Sequence, residues 1–247
     1  MPIQSSNHPF IHSSTLAILQ RNLEDVRRRI ASACQRAGRK PEDVTLVAVT
    51  KSAGPAATPA LQRLGVAHVG ENRVQDTLRK QEALGGTLGL IWHMIGHLQT
   101  NKVRHALRLF ARLDAVDSVR LAQEVERRAA VEERRVPILA ECNVSGEASK
   151  FGLPPSELPA FLDAVAGMPH VRLEGLMTMA PLVDDPEAVR PVFAALRELA
   201  AKARAQTGLP LPHLSMGMTQ DFEAAIEEGA TMVRIGTALF RGLGELS

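Results

Sequence analysis

The run Val44-Thr-Leu-Val-Ala-Val-Thr-Lys51 joins a β-branched and aliphatic stretch to a polar end. Such a run predicts a buried strand over residues 44–50. Similar apolar runs recur along the chain, and stretches with helical periodicity separate them. Strands that alternate with helices favour parallel βαβ units.

The alternation gives eight predicted strands, at residues 44–50, 67–70, 90–96, 109–116, 136–144, 171–179, 213–217 and 231–236. Helices are predicted between them at residues 59–64, 73–84, 100–107, 119–131, 155–166, 186–206 and 220–227. One more helix is predicted before the first strand, because apolar residues from Leu16 to Ala37 recur at helical steps and Gly38 follows as a C-cap.

Eight such units within 247 residues favour a closed (β/α)8 TIM-type barrel, for which this length is typical. An open, doubly wound sheet is the alternative, but its GxGxxG fingerprint is absent after the first strand, where residues 49–54 are Val-Thr-Lys-Ser-Ala-Gly. We therefore expect an α/β fold. Residues 1–13 are predicted to be a loose leader, and residues 14–247 a single barrel domain with an extra N-terminal helix.

The bulk composition argues against several classes of protein. The 29 basic and 27 acidic residues give a net charge of +2, which is too even for binding nucleic acid or a membrane surface by bulk electrostatics. Two cysteines in a chain this long do not form a disulfide framework, which indicates the reducing cytoplasm. We expect neither a signal peptide nor a membrane span.

Lys51 is the first candidate for chemistry, since the active sites of β/α barrels lie at the carboxyl ends of the strands. It shares side-chain parity with Val47 and Val49, so we expect it to point into the top of the barrel, shielded from water. A shielded lysine keeps the neutral amine that forms a Schiff base. The alternative is a lysine that merely extends its head to solvent at a strand end.

The seventh and eighth strands end in small polar residues. Ser215 and Gly217 end one strand, and Gly236 and Thr237 end the other. Barrels commonly bind phosphate at these two strands, where glycines let the backbone approach the anion and hydroxyls donate hydrogen bonds. The pattern thus predicts a phosphate site, with ordinary turn chemistry as the alternative.

Arg234 interrupts an apolar strand. Val233 and Ile235 are expected to face the helices, which turns Arg234 inward, where it needs a ligand acceptor or an internal carboxylate as its partner. Asn72 and Asn143 hold matching places at the ends of the second and fifth strands, where they can line the mouth.

The remaining histidines and methionines near the strands indicate no separate site. His93 and His97 have no third ligand in view, so packing or a hydrogen bond near the pocket is favoured over zinc. Met177 and Met179 are predicted to pack the interior. On these residues alone, pyridoxal phosphate and a sugar phosphate handled by a Schiff-base aldolase are not distinguished.

The chain resembles the pyridoxal phosphate homeostasis family over nearly its whole length, from the first helix to Arg241. The resemblance rests on seven segments taken together and in order: Val47–Lys51, Gly70–Gln75, Trp92–Lys102, Asn143–Gly152, Gly175–Met179, Leu214–Met218 and Met232–Thr237. It implies a fold like the barrel domain of alanine racemase, with pyridoxal 5′-phosphate as the cofactor.

The same resemblance implies roles for the site residues. Lys51 would form the internal aldimine, Asn72 would line the cofactor, and Arg234 would face the pyridine nitrogen. The phosphate cradle would comprise Ser215, Gly217, Gly236 and Thr237. The chain departs from the family at Thr219-Gln220-Asp221, where a serine is usual at the first position. Threonine keeps the hydroxyl, but the contact at residue 219 is less defined.

Two features favour a carrier over an enzyme. An arginine that faces the pyridine nitrogen disfavours its protonation and weakens the ring as an electron sink. The sequence also contains no tyrosine, the second acid/base of alanine racemase, and it ends soon after the eighth strand. We expect a cytoplasmic, monomeric protein that maintains vitamin B6 balance and serves pyridoxal phosphate-dependent apoenzymes. A racemase-like enzyme and a Schiff-base aldolase are the alternatives.

Overall fold

The computed structural model describes residues 13–147 and 150–243. Eight parallel strands close into a barrel in the order β1 to β8. The strands are β1 Thr45–Val49, β2 His68–Glu71, β3 Ile91–Met94, β4 Arg112–Val116, β5 Val136–Glu141, β6 Val171–Met177, β7 His213–Ser215 and β8 Met232–Ile235. The helices are α1 Ser13–Arg36, α2 Ala57–Arg63, α3 Val74–Leu84, α4 Val103–Leu109, α5 Val119–Val131, α6 Leu158–Ala166, α7 Arg190–Thr207 and α8 Phe222–Glu227. None of these helices is both long and apolar enough to cross a bilayer.

The predicted alternation is confirmed for all eight strands, and the differences lie at their ends. β1 ends at Val49 and β7 at Ser215, each shorter than predicted. At these carboxyl ends the chain leaves the hydrogen-bonded sheet to form the turns at the mouth of the barrel. Only β2 runs past its predicted end, to Glu71.

The extra N-terminal helix is confirmed as α1, which packs on α8. The predicted leader lies outside the described residues except for Ser13, which begins α1. The apolar face of α1 is buried, and Arg29 and Arg36 bind Glu223 at 2.7 and 2.9 Å. These ion pairs are partly exposed, so each contributes about 0–1 kcal/mol, and the buried face of α1 does more to hold it in place.

The side chains of the strands alternate between two apolar layers. Outward-facing residues, such as Ala48 and Val233, join the core between the strands and the helices. That outer core also contains Cys34 and Cys142, whose thiols are free. A separate, smaller cluster lies inside the barrel and includes the predicted methionines: Ala115, Leu139, Met177 and Met232, with Met179 packed against them.

A network of charged and imidazole side chains fills the barrel towards the amino ends of the strands. His93 Nδ1 lies 2.6 Å from Asp114 Oδ2, and its Nε2 lies 2.9 Å from His68 Nδ1. Arg112 donates from Nε to Asp114 at 3.0 Å and from Nη1 to Glu174 at 2.9 Å. Burial raises the pKa of Asp114, but His93 and Arg112 outweigh it and bring that pKa to about 2. Asp114 is therefore a negative charge of the network that persists down to low pH.

The surroundings of His68 and His213 disfavour the protonated form of both side chains. Burial, reinforced by His93 and Arg112, lowers the pKa of His68 from 6.5 to about 4. Burial also lowers the pKa of His213, at the start of β7. A histidine whose pKa is depressed by folding stabilises the fold above its unfolded pKa, and that contribution is lost as the pH falls towards the folded pKa.

We therefore predict that the His68→Gln variant loses less stability than the wild type when the pH falls from 7 to 4.5. The expected difference between the two losses is about 1–2 kcal/mol in the free energy of unfolding. Urea unfolding at both pH values measures it. The His105→Gln variant changes an exposed histidine of α4 and serves as the control. Equal losses of stability in the His68→Gln variant and the wild type would contradict the lowered pKa of His68.

Candidate functional site

A cavity of about 1020 Å³ opens at the carboxyl ends of the strands. Five of the predicted site residues line it: Lys51, Asn72, Arg234, Gly236 and Thr237. They come from the ends of β1, β2 and β8, which are neighbours in the closed sheet. The fold thus brings together residues from the first and last strands of the barrel.

Lys51 lies in the turn that follows β1, and its side chain is exposed. The expectation that this lysine is shielded from water is therefore wrong. The alternating parity of β1 does not reach Lys51, because the strand ends at Val49 and the turn begins at Thr50. The backbone N–H of Ala53 donates to the Thr50 carbonyl at 2.9 Å and closes this turn.

Arg234 points into the barrel, as predicted, and its side chain is buried. Its Nη1 donates to Ser215 Oγ at 2.7 Å, and its Nη2 donates to the Thr178 carbonyl at 2.8 Å. These neutral acceptors, rather than a carboxylate in direct contact, are its partners among the described residues. Burial lowers the pKa of Arg234, while Glu141, Asp114 and Asp221 act in the opposite direction. The guanidinium is thus held rigidly at one side of the cavity.

Ser215 and Gly217 lie behind the cavity wall and do not line it. Ser215 is fully buried, and its hydroxyl accepts the hydrogen bond from Arg234. Gly217 has a φ of +92°, and a Cβ there would lie 2.6 Å from the Cβ of Ala225 and 2.9 Å from the Cα of Phe222. Gly217 therefore lets the loop after β7 pack closely on α8.

The loops after β7 and β8 form one wall of the cavity. The Ala238 N–H donates to Thr219 Oγ1 at 3.3 Å and joins the two loops. Among the described residues, the backbone N–H groups of Gln220 and Thr237 donate to no protein acceptor. Two N–H groups and nearby hydroxyls on a glycine-containing wall make a donor set that suits an anion. Gly236 lies against β1, since a Cβ there would be 3.2 Å from the Val49 carbonyl oxygen.

The two asparagines singled out from the sequence have different places. Asn72 lines the cavity, and the chain after β3 passes directly over it. A Cβ on Gly96 would lie 2.7 Å from the Cβ of Asn72, so only glycine fits at that crossing. Asn143 instead binds its own loop, where its Nδ2 donates to the Glu147 carbonyl at 2.9 Å. Asn143 does not line the cavity.

His93 and His97 have separate surroundings. His93 belongs to the buried network inside the barrel, whereas His97 lines the cavity mouth. His97 Nδ1 lies 2.8 Å from Asp117 Oδ2, and its ring stacks on Phe151 with 4.2 Å between centroids. These contacts are the packing and hydrogen bonding that the sequence led us to expect of the two histidines.

Sequence reasoning missed two carboxyl groups near the site. Asp221 lines the cavity, and its Oδ1 accepts from the Met218 N–H at 2.6 Å. Glu141 ends β5 and shares the inward parity of Leu139. Burial, together with the neighbouring charge of Asp117, raises the pKa of Glu141 to about 7. The sequence feature that could have indicated Glu141 is an acidic residue at the end of an apolar strand.

A model of the alanine racemase N-terminal domain family matches residues 21–243. Among curated proteins, the pyridoxal phosphate homeostasis protein of Aquifex aeolicus is 44% identical over 218 residues, which are 88% of this chain and 95% of that protein. The protein of the same name from Pseudomonas aeruginosa is 41% identical, over 91% of this chain and 96% of its own.

A solved structure of PipY from Synechococcus elongatus, with pyridoxal phosphate bound, superposes with a TM-score of 0.80. It is 34% identical, and the match covers 90% of this chain and 99% of PipY. The three relatives named above therefore match this chain along nearly their full length.

We predict that Glu141 costs the fold stability as the pH rises from about 4.5 to about 7. A carboxyl whose pKa is raised by folding stabilises the fold below its unfolded value of 4.5, and this contribution is lost as the pH rises through about 7. The Glu141→Gln variant should therefore gain about 2 kcal/mol relative to the wild type between pH 5 and pH 8.5. Urea unfolding at both pH values measures this gain. Parallel pH profiles for the two proteins would show that Glu141 titrates normally.

Proposed function

This chain belongs to the pyridoxal phosphate homeostasis family, and from that premise we propose that it holds pyridoxal 5′-phosphate on Lys51 and carries it without a catalytic cycle. The observation that carries the proposal is the convergence of Lys51, Arg234 and Thr237 on one cavity. The cavity volume of about 1020 Å³ is at the upper end of the range for small-molecule sites. Binding of the cofactor is also supported by PipY, whose structure contains it.

In this proposal Lys51 is the covalent tether. Its amine adds to the cofactor aldehyde, and water leaves as the Schiff base forms. Because Lys51 is exposed on a closed turn, the amine is accessible to an incoming aldehyde. Asn72 lies beside it on the cavity wall and supplies a polar contact.

Arg234 is proposed to face the pyridine nitrogen. A guanidinium has five N–H donors, and the two hydrogen bonds to Ser215 and Thr178 leave others for a ligand. Its position is fixed before the ligand arrives, so binding need not order a long side chain. Ser215 would then contribute to the site by holding Arg234.

The phosphate group is proposed to lie against the loops after β7 and β8. Gly236 and Thr237 line the cavity there, and the N–H groups of Gln220 and Thr237 are unused by protein acceptors among the described residues. Thr219 keeps the hydroxyl that the family usually takes from serine, and it binds the Ala238 N–H. Gly217 would serve the cradle by packing its loop on α8.

Two features favour a carrier over a racemase-like enzyme. Bound pyridoxal phosphate supplies an electron sink for amino-acid chemistry, and a cationic arginine at its ring nitrogen weakens that sink. The 247-residue sequence also has no tyrosine to act as the second acid/base. The curated relatives are named for homeostasis of the cofactor, which agrees with a carrier.

We also propose the cellular setting that the sequence suggests. Residues 14–247 would act as one cofactor-binding domain, in a monomer in the cytoplasm. The buried free thiols of Cys34 and Cys142 are compatible with a reducing compartment. The partners would be pyridoxal phosphate itself and apoenzymes that depend on it, with neither nucleic acid nor membrane.

The first prediction concerns the tether. Wild-type protein incubated with pyridoxal phosphate should show a visible absorbance band, and the Lys51→Ala variant should lack it because the Schiff base cannot form. Absorbance spectra, followed by borohydride reduction and peptide mapping, identify the modified residue.

The control is Lys102→Ala, which removes another lysine that lines the same cavity. This variant should keep the band. A colourless wild type, or a band that survives in Lys51→Ala, would overturn the proposed function. Trapping of a sugar phosphate in place of pyridoxal would favour the aldolase alternative.

The second prediction separates a carrier from a racemase-like enzyme. Loaded wild-type protein should cause no solvent-deuterium uptake at the α-carbon of amino acids, because the sequence lacks the tyrosine that serves alanine racemase as its second acid/base. Proton NMR in deuterium oxide with a panel of L- and D-amino acids measures uptake. Uptake that disappears in the Lys51→Ala variant would instead indicate an enzyme.

A further inference from the structure

A buried ion pair lies directly beneath the turn that presents Lys51. Lys80, on α3, and Glu71, at the end of β2, are in contact at 2.5 Å, with side chains that are 8% and 1% exposed. Both groups also bind Thr50, the residue before Lys51. The Lys80 ammonium donates to the Thr50 carbonyl at 2.7 Å, and the Thr50 hydroxyl donates to Glu71 Oε1 at 2.6 Å.

These contacts fix the first residue of the turn from several directions. The Thr50 N–H donates to the Gly70 carbonyl at 3.1 Å, and the Thr50 carbonyl also accepts from Ala53 at 2.9 Å. Lys51 is thus an exposed side chain on an anchored backbone. Asn72 follows Glu71 directly, so the same ion pair also anchors the start of the Asn72 segment.

Stability alone does not account for this arrangement. Burying two charges costs desolvation that their attraction often fails to recover, and well-packed apolar residues in their place are frequently as stable. One oxygen of the pair, Glu71 Oε2, is buried and has no hydrogen-bond partner within the described part of the chain. What the pair provides is a directional hold on Thr50 that apolar side chains cannot supply.

We propose that Lys80, Glu71 and Thr50 form a positioning unit that holds the Lys51 amine at the correct place for bond formation with pyridoxal phosphate. The inference rests on the proposed function and extends it to residues that do not touch the ligand. An exposed lysine would otherwise lose rotational and backbone freedom when it binds, and a prearranged turn reduces that cost.

The test compares binding with stability in matched variants. Lys80→Met alone leaves the Glu71 carboxylate buried without a cation, so we expect that variant to be strongly destabilised. The double variant Lys80→Met/Glu71→Gln removes both charges and keeps an acceptor for the Thr50 hydroxyl. Gln81→Met is the control, because Gln81 is the next residue of α3 and donates to the Leu109 carbonyl, away from the Lys51 turn.

Three quantities are measured on full-length protein: the free energy of unfolding in urea, the dissociation constant for pyridoxal phosphate from the visible band, and the rate of cofactor release to hydroxylamine. The double variant is expected to unfold at near wild-type urea concentration. Its dissociation constant should rise about tenfold, the equivalent of one lost charge-assisted hydrogen bond, and release should be faster. Gln81→Met should lose stability and keep wild-type binding.

A double variant that binds and releases the cofactor as the wild type does would overturn the positioning role. So would a Gln81→Met variant whose binding weakens as much as that of the double variant. Thr50→Ser should bind as the wild type, whereas Thr50→Val should not, because only serine keeps the hydroxyl. Failure of the proposed function is recognised separately, since the wild type would then lack the band or Lys51→Ala would retain it.

Discussion

Closure of the sheet between β1 and β8 is the constraint on which the rest of the structure depends. The register pairs Val47 with Arg234 and Ala48 with Ile235, so the carboxyl ends of the first and last strands meet. This pairing brings Gly236 against the Val49 carbonyl and places the Lys51 turn beside the loop that carries Thr237. Without closure, the proposed tether and the proposed phosphate wall would lie on opposite edges of an open sheet.

The fold was predictable from the sequence because the apolar runs and helical stretches repeat in one order. Residues inside strands were also predictable: Val233 and Ile235 joined the outer core, and Arg234 turned inward as their alternation requires. The exposure of Lys51 was not predictable in this way, because side-chain alternation holds only within a strand and Lys51 lies two residues past the end of β1. Thr50 has strand propensity, but side chains from β2 and α3 bind it and the turn begins there.

Contacts between distant segments set the remaining limits on prediction. The hydrogen bond from Arg234 to Ser215 joins two strands. Ser215 was predicted to bind phosphate, and no local sequence pattern indicates that its hydroxyl instead accepts from an arginine. Glu141 was not predicted as a site residue, because the fifth strand was expected to run to residue 144 and to end near Asn143, whereas it ends at Glu141. The roles of Gly96 and Gly217 depend on which segments cross them, and that is known only from the fold.

The interior of the barrel is layered along its axis. The charge network of His68, His93, Arg112 and Asp114 lies towards the amino ends of the strands, and the apolar cluster that contains Leu139 and Met177 lies in the same interior. The cavity lies at the carboxyl ends. In the proposed function, a carried molecule would therefore enter and leave through the face at the carboxyl ends of the strands. Any protein that accepts the molecule would approach that same face.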